Sequence, residues 1–175
     1  MRKFLPFIIG IFVLSSSFIL IPLTSWKIEK NHLISFDSPD ASGIFGSITG
    51  TVIFDPNNLN QSKFDVKIPV ESIDTDNFLK NRHAKSAKWF DAEKYPNITY
   101  KSSQILKTQS GYMVRGTLTI RDISKPVTIP FKFNPKGKIA TFDASFVVNR
   151  MDFQIGKAGD IVDDITLKIS IPVKK

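Results

Sequence analysis

Cysteine is absent from the chain, and histidine occurs only as His32 and His83. The missing thiols exclude disulfides, thiol nucleophiles and thiol-linked lipid anchors, and they suit an oxidising compartment without requiring one. Two isolated histidines with no thiolate partner argue against a structural zinc site. No Gly-x-Ser-x-Gly elbow is present to carry a serine nucleophile. Gly111 and Gly116 have the glycine spacing of a phosphate-binding loop, but Thr117 and Leu118 follow where lysine and a hydroxyl side chain are needed. Asp160, Asp163 and Asp164 gather at one strand end without the loop spacing of a calcium site and read as solvated turn residues. Repeats, low-complexity tracts and linkers are also missing from residues 26–175. With no nucleophile, metal set or cofactor motif, the chain reads as a non-enzyme needing neither metal nor cofactor.

The first residues have a distinct layout. Met1-Arg2-Lys3 is a short positive start, and the stretch from Phe4 to Leu23 is almost entirely apolar. That pattern is expected of a secretory signal peptide over residues 1–25, with a retained membrane anchor as the alternative. Ser15/Ser17 and Leu23/Ser25 are the candidate small-residue pairs at a cleavage point. Export to the periplasm or the exterior follows as the expectation. Without Arg2 and Lys3, 22 basic residues face 16 acidic ones, an excess of +6. These charges are scattered among apolar positions, as on a solvated exterior, and nucleic acid is not an expected partner. They do permit transient contact with an anionic membrane surface.

From Trp26 onward, period-two alternation dominates. Phe64, Val66, Ile68 and Val70 share one face of a run, as do Tyr112, Val114, Gly116, Leu118 and Ile120. Val127, Ile129, Phe131 and Phe133 form a third set, and Ile165, Leu167, Ile169, Ile171 and Val173 a fourth. Turn signals such as Asp55-Pro56-Asn57-Asn58 and Asn134-Pro135-Lys136-Gly137 separate the runs. The spacing predicts about eight strands, near 26–37, 44–55, 62–71, 97–107, 112–121, 126–134, 138–150 and 161–173. Gly43, Gly46 and Gly50 are expected bend points in the second strand. The fold class is therefore all-β, and closure into an antiparallel barrel is attractive because it removes exposed strand edges. Residues 76–90 break the alternation. Leu79, His83, Ala87 and Phe90 recur there at helical spacing, so one helix, or a helix followed by a turn, is expected, capped by Thr75 or Asp76.

Aromatics are plentiful: fifteen Phe, three Tyr and two Trp. A small barrel is either filled by such side chains or built around one ligand, and composition alone leaves both open. His83 is expected to be packed and hydrogen-bonded to a backbone carbonyl. A contact to the polar end of a ligand at the barrel mouth is the sharper alternative.

The block from Val70 to Asp76, the stretch His83 to Ser102, and Gly116 to Ile120 continuing through Ser124 to Pro130 resemble the YceI-like polyisoprenoid-binding family. Trp26-Lys27-Ile28 and the segment Asp163 to Val173 fit as well, so the resemblance spans residues 26–175 as one domain. It implies an extended lipocalin-like barrel of eight antiparallel strands with a helix packed against it. It also implies an exported protein that sequesters or carries a long isoprenoid or other amphiphilic lipid. The candidate lining residues are then Phe36, Phe45, Phe64, Ile68, Leu118, Phe131, Phe133, Phe142, Phe146 and Leu167, with His83 and Phe90 towards the mouth. The alternatives are an accessory or enzyme acting on an isoprenoid quinone, in respiratory electron transfer or stress protection, and a filled barrel serving as an interaction module. A homodimer is compatible with each. Lys80-Asn81 and Ala84 stand where the family's helix usually carries Arg-Asp and Leu, and Arg121-Asp122-Ile123 occupies a turn that usually contains Gly.

Overall fold

A computed structural model describes residues 23–175; the segment read as a signal peptide or anchor lies outside the described residues, apart from Leu23, Thr24 and Ser25. The strand segments are β1 (Ser25–Ile28), β2 (Leu33–Asp37), β3 (Ser42–Phe45), β4 (Thr49–Ile53), β5 (Lys63–Pro69), β6 (Ile73–Asp74), β7 (Asn97–Thr108), β8 (Gly111–Ile120), β9 (Ile123–Lys136), β10 (Ile139–Asn149) and β11 (Asp164–Lys174). Three long strands are each broken in the middle. Residues 29–32 separate β1 from β2, Gly46 to Ile48 separate β3 from β4, and Val70 to Ser72 separate β5 from β6. Joining these halves gives eight antiparallel strands, each paired with its chain neighbour. The last strand, β11, pairs with both β1 and β2 and closes the barrel. The predicted lipocalin-like fold is what forms.

The pleat explains the alternation. Along β8, Val114, Gly116, Leu118 and Ile120 are buried while Arg115 and Thr117 are exposed. Along β9, Ile129 and Phe131 point in while Thr128, Pro130 and Lys132 point out. One bulge at Ser103 interrupts β7, where the register with β8 jumps between Ser102 and Gln104. The extra residue switches the inward phase from Ile98 and Tyr100 to Ile105.

The helix α1 spans Phe78–Lys85 and is followed by turns through residue 94. It is shorter than the segment that broke the alternation. Asn77, rather than Thr75 or Asp76, caps it, its side chain accepting from the Lys80 amide at 3.0 Å. Thr75 is used differently, its hydroxyl and amide both donating to Asn81 Oδ1 at 2.7 Å. Asp76 takes a left-handed φ of 56°, which removes it from the capping position.

The α1 end of the barrel also carries the 38–41 turn, Arg121-Asp122 and the loop 150–163. The opposite end carries the loop 54–62, the two hairpin turns at 109–110 and 137–138, and both described termini. At that opposite end Phe54 is fully buried. It meets Phe64, Tyr112, Phe131, Phe133 and Phe142 at ring-centroid distances of 4.8 to 6.1 Å. Trp26 packs edge-on to Phe133 at 5.4 Å and donates its indole N–H to the Phe54 carbonyl at 2.9 Å. Aromatic rings therefore plug one end of the barrel.

Between plug and mouth, Tyr100 reaches across the sheet and shares its hydroxyl proton between the carbonyls of Val127 at 3.2 Å and Val114 at 3.3 Å. Gly116 makes room for it, since a Cβ there would lie 2.7 Å from the phenol ring and its oxygen. Gly116→Ala is expected to destabilise the barrel by about 1–3 kcal/mol through overpacking. Tyr100→Phe with Gly116→Ala should recover little, because the ring atom itself clashes. Urea unfolding of the two variants checks this.

Candidate functional site

A cavity of about 600 Å³ runs from the aromatic end to the α1 end, within the ~300–1,000 Å³ range of small-molecule sites. Its floor is formed by Phe64, Phe131 and Phe142, which also touch Phe54. Its walls carry the inward sets of the strands: Ile68 and Val66 from β5, Leu118 and Val114 from β8, and Leu167 and Ile169 from β11. Phe146 and Ala144 of β10 add to them, as do Phe36 of β2 and Phe45 of β3. Several of these are only half-buried despite pointing inward, because their other side faces the void.

Of the residues expected to line the interior, Phe133 alone does not. It lies two positions beyond Phe131 along β9, past the floor, wedged among Trp26, Phe54 and Phe142. Alternation gave its direction but not its height. His83 and Phe90 are at the mouth, Phe90 edge-on to Phe45 at 5.9 Å. His83 departs from expectation. It is exposed, and its ring lies edge-on to Trp89 at 5.9 Å with no hydrogen bond to a carbonyl among the described residues. The reason is that α1 fully buries none of its residues and meets the core through Ala84, leaving the neighbouring imidazole at the rim.

The mouth has one organising charge that sequence reasoning missed. Arg150 is 2 % exposed. Its guanidinium donates to the carbonyls of Ile155 at 2.7 Å, Ile161 at 2.7 Å, Lys157 at 3.0 Å and Val162 at 3.1 Å, and to Asp163 at 2.7 Å. A planar fork of five N–H donors suits this task, which a lysine could not perform. The loop 151–163 is thus wrapped around one side chain. Gly156 (φ 71°) sits where a Cβ would meet Asp160, Trp89 and Arg150 at 3.1 to 3.2 Å. The available signal was parity: Arg150 continues the inward series Phe142, Ala144, Phe146 and Val148.

Asp160, Asp163 and Asp164 do not converge on a common point. They bind Lys88 at 2.8 Å, Arg150 at 2.7 Å and Asn149 at 3.0 Å respectively. Among the described residues, no group of three or more His, Cys, Asp or Glu is placed to hold a metal ion. The hydrogen bond from Lys88 and that from the Lys157 amide hold the Asp160 carboxyl below its ordinary value. The Asn81 side chain does the same for Asp74. Burial pushes the Tyr100 phenol above its ordinary value, so it stays neutral. Trp89 lines the mouth, but its indole N–H is turned away from both solvent and cavity and has no partner among the described residues.

The YceI-like domain family matches residues 23–173. The chain belongs to this family. Protein YceI of Salmonella arizonae is 30% identical over 136 residues, covering 74% of this chain and 71% of that protein. The UPF0312 protein plu2095 of Photorhabdus laumondii is 32% identical over 117 residues, 63% of this chain, and the match spans 61% of the Photorhabdus protein's length. Among solved structures, BcnA of Burkholderia cenocepacia superimposes with a TM-score of 0.80 at 27% identity, over 83% of this chain and 99% of BcnA. A polyisoprenoid binding domain from Saccharophagus degradans shares the fold with a TM-score of 0.61 at 9% identity, over 86% of this chain and 97% of that domain.

Replacing Arg150 by Met would strip donors from four carbonyls. We expect a loss of about 3 kcal/mol, read as a lower Tm, with faster amide exchange confined to 151–163. Acid should act on the same loop through Asp160. A carboxyl held low stabilises the fold above its ordinary value of 3.8 and ceases to as pH falls through its lowered value. NMR shifts of 156–162 should therefore move on acidification below that value, and Asp160→Asn should remove the transition.

Proposed function

We propose that this chain is an exported, non-catalytic binding protein that sequesters or carries a long-chain isoprenoid or other amphiphilic lipid within its barrel. The observation that carries this reading is the cavity: apolar along its walls, stopped by aromatic rings at one end and open beside α1 at the other. A chain-like molecule fits it tail first. Transfer of its surface out of water contributes about 25 cal/mol per Å² before the costs of ordering. The polar end would then lie at the mouth, where His83 is exposed. The polyisoprenoid binding domain of Saccharophagus supports the ligand class by its fold, and the apolar N-terminal segment supports export.

Protein purified from its own host under native conditions should release a long-chain lipid on extraction and show the corresponding added mass by native mass spectrometry. Ala144→Trp would place an indole in the cavity from β10. It is expected to cut retained lipid by at least about tenfold while circular dichroism still reports the barrel. Parent protein that carries no lipid, or lipid retained equally by Ala144→Trp, would refute the reading. Recovery of a chemically altered lipid after incubation would instead indicate an enzyme.

A further inference from the structure

The helix α1 is held largely by polar latches, with Ala84 its one side chain packed against the core. Asn81 accepts from Thr75 at 2.7 Å and donates to Asp74 at 3.0 Å, and Lys85 pairs with Glu71 at 2.9 Å. None of its eight residues is buried. Short helices in water ordinarily depend on an apolar face packed against a core; α1 instead turns apolar side chains outward. Phe78 is 78% exposed and Leu79 70% exposed, the two most exposed large apolar side chains among the described residues. Isolated exposed apolar residues mean little. These two are adjacent, on the first turn of a helix whose Leu79, Lys80 and His83 rim the cavity.

Charge singles out the same tip. Between Phe78 and Phe90 the chain has Lys80, Arg82, Lys85 and Lys88 and no carboxylate, and of Asp74 and Asp76 just ahead of the helix Asp74 is engaged by Asn81. Lys85 and Lys88 are paired, with Glu71 and Asp160. Lys80 and Arg82 form no salt bridge with any of the described carboxylates. Paired apolar residues flanked by free cations match the interface of an anionic bilayer, where rings enter the acyl boundary and cations meet headgroups. A second copy of this basic tip would bring like charges together instead.

We propose that the first turns of α1 form a membrane-docking tip: Phe78 and Leu79 enter the interface of an anionic bilayer, Lys80 and Arg82 bind its headgroups, and the cavity mouth is set down on the surface from which the cargo is drawn. This rests on the lipid-carrier reading for its purpose but not for its test. Neither Phe78 nor Arg82 lines the cavity, so Phe78→Ser and Arg82→Glu separate docking from loading.

Protein purified from its own host would be floated with vesicles of phosphatidylcholine alone, or with about one-third phosphatidylglycerol. Lipid retained from the host would be measured on the same samples by native mass spectrometry. Any contribution from the segment ahead of residue 23 is common to all variants. The parent is expected to bind anionic vesicles, less so as salt rises. Arg82→Glu should weaken that binding by about tenfold and Phe78→Ser by about fivefold, with retained lipid unchanged. Equal binding by all three proteins would overturn the proposal, even where lipid is retained. So would self-association in sedimentation velocity that Phe78→Ser abolishes, since the patch would then belong to a second copy. Vesicle binding that needs both residues in a protein carrying no lipid would uphold docking and refute the carrier reading.

Discussion

The pairing of β11 with β1 and β2 is the contact on which everything else depends. It joins the first and last strands of the domain, with Lys27 opposite Lys174 and Asp37 opposite Thr166. Without it, both edges of an eight-stranded sheet would expose unpaired backbone groups, and the inward apolar faces would have nothing to enclose. The broken first strand is part of the solution. β1 and β2 follow β11 at different heights, and on their other side β1 binds β4 and β2 binds β3. The aromatic plug forms at the Trp26 end.

The plug divides the interior. Towards β1 the walls are close enough for Phe54 to contact aromatic residues from four other strands, and the core is filled as a small globular core is filled. Further up, aliphatic and aromatic side chains from opposite walls no longer meet, and the cavity begins. Phe64, Phe131 and Phe142 belong to both regions. They support the plug below and form the floor above, so fold stability and cavity depth are coupled through the same three rings.

The mouth is maintained by different physics. Arg150 holds the loop 151–163 through backbone carbonyls, and Lys88 ties the turn after α1 to Asp160. Arg121 donates to the carbonyls of Gln154 and Ala87, joining the β8–β9 turn to both. Polar bonds at the rim keep the entrance formed without filling it, which packed apolar side chains could not do.

Fold class was legible in the residues because a pleated strand with one buried face must alternate, and the runs at 112–120 and 127–133 do so with Met113 the one apolar side chain on the outward face. The helix was legible because alternation stopped. Individual lining residues such as Ile68, Leu118 and Leu167 followed from parity. Height along the strand did not, which is why Phe133 was placed in the cavity when it lies beneath the floor. Period two states which way a side chain points, whereas the register between strands decides what it meets. His83 and Arg150 show the same division. Helical spacing suggested a packed imidazole, but α1 has no buried face; a basic residue at an inward position became the centre of a loop thirteen residues long. Local pattern determined that this chain would close an apolar interior. Only the tertiary structure, by setting strand heights and breaks, decided that the side chains leave a cavity between the aromatic plug and the mouth.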